Sequence, residues 1–79
     1  METTKQYFKV DGKQISFLKF LLEAYDGIAN LTTLNPKLGH IVINIAPGCE
    51  EDVKTLLWEI KDDVVMEQIK NDESEENSH

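Results

Sequence analysis

Seventy-nine residues carrying fifteen acidic side chains against eight lysines and no arginine describe one small domain with a modest core and a net charge of −7. A chain of this length buries only about 60 % of its unfolded surface, and one cysteine (Cys49) with two histidines (His40, His79) allows neither an internal disulfide nor a recognised zinc spacing. The missing arginines and the lack of a basic footprint set nucleic acid aside as a partner, and no apolar run approaches the ~20 residues that span a bilayer.

Gln6 to Val10 alternates, with Phe8 and Val10 on one side and Tyr7 and Lys9 on the other, which predicts a short strand. Asp11-Gly12-Lys13-Gln14 follows as a helix start. Asp11 can accept from first-turn amides, and Gln14 stands where a capping box would reach back. From Ile15 to Tyr25 the apolar residues recur at helical spacing, and Gly27 is a natural left-handed terminator. This helix is too apolar for one core-facing stripe. At ~100° per residue, Phe17, Phe20 and Ala24 widen its apolar sector to roughly 220°, where about 100° suffices for a helix of a globular domain. Either neighbouring elements of the same chain cover that excess or a second molecule does.

Ile28 to Leu34 has β character, Asn35-Pro36-Lys37-Leu38-Gly39 is a turn, and His40 to Ala46 is a near-continuous apolar run. Such a run predicts a central strand covered on both faces, with Asn44 turned to the less buried one, and the two strands form a hairpin. Pro47-Gly48-Cys49 opens a second helix, whose first turn holds Glu50, Glu51 and Asp52, where the positive end of the helix dipole favours acids. Val53, Leu56, Leu57 and Ile60 give it one stripe, and Trp58 lies off that stripe. Val64 to Ile69, rich in β-branched residues, predicts a last strand rather than more helix. The domain is expected to end near residue 70. The acidic residues 71–79 read as a disordered tail, and eight lysines against the eleven acids before it leave −3 on residues 1–70.

The order β-α-β-β-α-β predicts an α+β, ferredoxin-like (ACT-like) split βαβ sandwich: an antiparallel four-stranded sheet with two helices on one face. A β-α-β crossover between the first and third strands would set that pair side by side and parallel. The hairpin partner and the last strand would be the edges, and Tyr7, Lys9, Val42 and Asn44 would line the open face.

Three stretches carry a resemblance. Phe17-Leu18-Lys19-Phe20-Leu21-Leu22-Glu23-Ala24-Tyr25-Asp26-Gly27, Thr32-Thr33-Leu34-Asn35-Pro36 and Pro47-Gly48-Cys49-Glu50-Glu51 resemble a small bacterial family, the domain of unknown function numbered four-nine-one-one. The resemblance implies fold and lineage and brings no activity with it. A looser likeness is to ACT domains, which sense small molecules. Their effectors sit near the turn after the first strand, which would place a ligand at Asp11 and Gly12. This chain lacks the Asp-x-Pro-Gly wording of that turn.

The residues give little support to catalysis. Cys49 stands at a helix start, the place where a reactive thiol would be sought. The three acids after it oppose a thiolate, and no second cysteine can resolve a disulfide within the chain. His40, at a strand start, has no second metal ligand at useful spacing in the sequence and reads as solvated. The acid pairs Glu50-Glu51 and Asp62-Asp63 lack the alternating oxygens of a cation loop, so no metal and no cofactor is expected. Without an arginine, the acylphosphatase chemistry known on this fold is excluded, and the apolar run has no aromatic for RNA stacking.

The expected function is therefore a non-catalytic interaction or regulatory module. It would self-associate or bind an unknown protein partner, with Phe17, Phe20 and Trp58 as interface residues. The alternatives are a small-metabolite sensor using Asp11 and Gly12, and a thiol-dependent enzyme or redox sensor using Cys49. Residues 1–6 show no signal-peptide pattern, and a lone thiol fits a reducing compartment, so the expected location is cytoplasmic.

Overall fold

A computed structural model describes residues 3–25 and 27–70; the acidic segment 71–79 lies outside the described residues. The chain runs β1 (Thr4–Val10), α1 (Gly12–Glu23), β2 (Ala29–Asn35), β3 (His40–Ile45), α2 (Glu50–Glu59) and β4 (Met66–Ile69). The four strands form one sheet in the order β2-β3-β1-β4, antiparallel throughout. This is an α+β, ferredoxin-like arrangement.

The expected parallel pairing of the first and third strands is corrected here. Thr4 faces Ile45 and Lys9 faces His40, an antiparallel register. The reason lies in the connections. The β2–β3 hairpin reverses the chain, and β3 folds back between β1 and β2. The strands joined through α1 are β1 and β2, which run parallel with β3 separating them.

The register puts Phe8, Val10, Ile41, Ile43, Ile45 and Leu31 on one face. Both helices pack there, with Leu18 and Leu22 of α1 and Val53 and Leu56 of α2 in the same buried cluster. Seven side chains are almost fully excluded from solvent: Leu18, Leu22, Ile41, Ile43, Ile45, Val53 and Val64. Val64 anchors the end of the loop after α2, and the last strand begins two residues later than the pattern Val64–Ile69 predicts.

Local chemistry fixes the ends. Asp11 caps α1 by accepting from the Lys13 N–H at 3.0 Å, and the Gln14 N–H donates to the Asp11 carbonyl at 2.8 Å. The cap is thus an Asx-type turn with its side-chain bond two residues on, shorter than the capping box predicts. In the hairpin turn, Asn35 Oδ1 accepts from the N–H groups of Lys37 and Leu38, each at 3.1 Å. Gly27 is not the helix terminator its place in the sequence suggests: α1 ends at Glu23 with Ala24 as its C-cap, and Gly27, at φ +89°, serves the following turn, closed by the Ile28 N–H donating to the Tyr25 carbonyl at 3.2 Å.

His40 corrects another expectation. It is only 6 % exposed, not solvated. Its strand is central, so Lys9 of β1 and Asn35 of β2 flank it on both sides.

Gly39 is the tightest backbone position. It lies at φ +75°, and a Cβ there would stand 1.8 Å from the Val10 carbonyl oxygen. Gly27 has positive φ but no neighbour within 4 Å of its would-be Cβ. Gly27→Ala is expected to cost about 1 kcal/mol from backbone strain alone, and Gly39→Ala clearly more, because β1 must also move. Denaturant midpoints of the two variants check this, and equal midpoints would contradict it. Leu18→Ala, which empties a fully buried site, is expected to cost about 3 kcal/mol in the same assay.

Candidate functional site

The sequence-predicted interface residues lie on two separate helices, and all three face solvent. Phe17 and Phe20 are 43 % and 70 % exposed on α1, and Trp58 is 67 % exposed on α2. The excess apolar sector of α1 is therefore not covered within the described residues. Leu18 and Leu22, four residues apart, take the sheet-facing side. Phe17 and Phe20, three residues apart, form their own ridge on another flank. The C-terminal strand could have covered this ridge, but it pairs with β1 at the far edge of the sheet instead.

Trp58 sits beside a different opening. The inner face of β4 is left partly uncovered: Met66, opposite Val10, is half-buried and Gln68, opposite Phe8, is exposed. A cleft of about 320 Å³ lies between α2, the loop after it and β4, lined by Phe8, Leu57, Trp58, Val65 and Met66 with Lys54 and Lys61. Val65 is the most exposed large apolar residue, at 81 %. Lys61 Nζ stands 5.1 Å above the Trp58 ring, a cation–π distance, and 3.5 Å from Asp62 Oδ1. A second cleft of about 410 Å³ shares Phe8, Lys54 and Leu57 with the first and continues toward the start of α2. Its walls are more polar: Gln6 and Gln68 meet across the β1–β4 pair, Gln68 Nε2 donating to Gln6 Oε1 at 3.5 Å, and Glu50 and Glu51 close the end. Together the two clefts make a groove along α2, basic and aromatic at one end and acidic at the other.

The acidic end has a structural tie. Thr4 Oγ1 donates to Glu50 Oε2 at 2.8 Å, joining the start of β1 to the first turn of α2. Backbone N–H donation within that first turn and this hydroxyl hold the Glu50 carboxyl below its ordinary value of 4.5, against the opposing effect of desolvation.

The other predicted site residues are placed as follows. Asp11 and Gly12 are exposed, Asp11 as the cap of α1, and the nearest atom to a Cβ on Gly12 would be the Pro36 carbonyl oxygen at 3.6 Å. Cys49 is half-buried against the core at the start of α2 and makes no side-chain capping bond. Asp11 follows the end of β1, whereas Cys49 follows Ile45, which faces Thr4 at the opposite end of that strand, so the two lie at opposite ends of the sheet. Among the described residues, no group of three or more His, Cys, Asp or Glu side chains could hold a metal ion, and no helix is long and apolar enough to cross a membrane.

The open sheet face is lined as the alternation predicts. The register turns Tyr7, Lys9, Val42 and Asn44 to it, together with Lys5, Asn30 and Thr32. Val42 is buried at its centre. Asn44 Nδ2 donates to Asn30 Oδ1 at 2.9 Å and to Thr32 Oγ1 at 3.4 Å, a cross-strand polar ladder. This face is mostly polar.

A family profile matches residues 8–64, from the middle of β1 to the end of the loop after α2. The chain belongs to the DUF4911 family, a domain of unknown function. No curated protein and no solved structure matches it. The matched stretch of this DUF4911 domain contains Phe17, Phe20, Cys49 and Trp58, while β4, one wall of the groove, lies beyond it.

The Thr4–Glu50 tie gives a pH signature. A carboxyl whose folded value is depressed contributes stability above its unfolded value, and that stability is lost as pH falls through the folded value. The thermal midpoint of the DUF4911 domain is therefore expected to drop on acidification below about 4.5, with Glu50→Gln flattening part of that drop. A variant whose acid profile overlays the wild type would contradict this role of Glu50.

Proposed function

We propose that this DUF4911 domain is a non-catalytic interaction module that pairs with a second copy of itself through the flank of α1 bearing Phe17 and Phe20. The observation that carries this reading is the exposure of two phenyl rings, one helical turn apart, on the more apolar of the two helices. Contiguous apolar surface beyond what the core needs marks interaction sites. One cysteine allows no internal disulfide, and association is a reinforcement open to so small a domain. A two-fold pairing sets the same patch on both copies face to face, and phenyl rings carry no charge to repel their counterparts.

Sedimentation velocity over a concentration series tests the reading. The wild type is expected to shift from monomer to dimer at micromolar concentration. Phe17→Ser with Phe20→Ser should weaken the dimer at least about tenfold and leave the far-ultraviolet circular dichroism unchanged. A wild type that stays monomeric at the highest soluble concentration would end the proposal.

A further inference from the structure

We propose that the groove between α2 and β4 receives an extended peptide from a partner protein, added as a fifth strand along the free edge of β4. An apolar side chain of that peptide packs against Leu57 and Trp58, and carboxylates two residues to either side of it meet Lys54 and Lys61. The inference shares with the preceding one only the premise of an interaction module. Its surface and its occupant are different.

Three observations select this occupant. The first is the edge itself. Among the described residues β4 pairs with β1 alone, which leaves its outer backbone groups for another strand, and added strands take their affinity from such groups. The other edge, β2, is interrupted by an irregularity between Thr33 and Asn35, the kind of feature that turns an edge away from pairing.

The second is charge. On a chain of net charge −7, the two charged residues lining the apolar cleft are both lysines. Among the residues lining the groove, acids enter only at the far end, as Glu50 and Glu51, while Asp62 stands outside the lining beside Lys61. An anionic peptide is therefore favoured beside Trp58, and further acids are disfavoured toward the start of α2. The acidic residues 72–76 of this chain contain no apolar side chain to fill the cleft.

The third is spacing. Lys54 and Lys61 are seven residues apart along α2 and its end, about 10 Å at 1.5 Å per residue. Residues i and i+4 of a strand share a face and lie about 13 Å apart, with residue i+2 between them on that face. A segment Glu-x-Ile-x-Glu thus presents carboxylate, apolar side chain and carboxylate in one row, and the flexible lysine stems take up the difference. The contact of Lys61 with Asp62 is an exposed pair of the kind that is readily exchanged.

Trp58 is the only tryptophan, so its emission reports on this cleft. The probe is the capped peptide Thr-Glu-Thr-Ile-Thr-Glu-Thr, titrated into the full chain, with a control peptide carrying Lys in place of both Glu. The expected result is a saturable blue shift with the acidic peptide, with Kd below about 1 mM, and none with the basic one. Lys54→Glu with Lys61→Glu should weaken the acidic peptide at least about tenfold and admit the basic one. The doubly substituted Phe17→Ser, Phe20→Ser chain should bind as the wild type does. Peptide binding by a chain that never dimerises would uphold this inference while removing the earlier one. No saturable shift, equal response to both peptides, or indifference to the lysine reversals would overturn it. So would a dimer of the peptide-free chain that Trp58→Ala dissolves, because the occupant would then be a second copy.

Discussion

The architecture depends on the enclosure of β3. Its three inward residues, Ile41, Ile43 and Ile45, are almost wholly excluded from water, each lying between a strand on either side and beneath the helices. Only a strand inserted between β1 and β2 obtains neighbours on both sides. The same insertion explains the buried His40 and the buried Val42 on the otherwise polar outer face. Side chains of a central strand are flanked by those of two neighbours even where no helix lies over them. Burial of this aliphatic row is the dominant favourable contribution available to so short a chain.

Once β3 is enclosed, the remaining surfaces follow from area. Two helices of twelve and ten residues lie on one face of the sheet and leave Met66 and Gln68 of β4 only partly covered. The helix α1 spends Leu18 and Leu22 on the core, and its phenyl ridge is left outside. The helix α2 spends Val53, Leu56 and Ile60 there, and Trp58 is left beside the uncovered part of β4. The two exposed apolar regions therefore have separate origins. One is an excess of apolar residues on a helix, and the other is a deficit of cover over a strand. Their chemistries differ accordingly: two phenyl rings on α1, an indole with lysines beside β4.

Most of the element order was legible because the punctuation is strong. Asp11, Gly27, the Asn35–Gly39 turn and Pro47-Gly48 each fall at a boundary. The apolar run from Ile41 to Ile45 could only be a central strand. The alternation of β1 foretold which residues line the outer face. The direction of the first and third strands was misread because periodicity reports which face a residue takes and is silent on chain direction; only the hairpin's reversal decides it. His40 was read as solvated because its own position, at the start of a strand, says nothing about strands that close over it from elsewhere in the sequence. The exposed phenyl ridge was foreseeable from the width of the apolar sector. The groove beside Trp58 was not, since it arises from Phe8, Leu57 and Met66, which come from three different elements and meet only in the folded chain.

The contact at Gly39 bears on how the domain can be altered. The Val10 N–H donates to the Gly39 carbonyl at 2.9 Å, and the Val10 oxygen fills the space where a side chain at 39 would begin. The hairpin turn is thus wedged against the end of β1 and is a fixed joint despite lying at the surface. Reporter tags, loop grafts or new chain termini placed there would pry two strands apart. The turn at Gly48 has no such neighbour within 4 Å of its would-be Cβ, so only its positive φ of +86° restricts it.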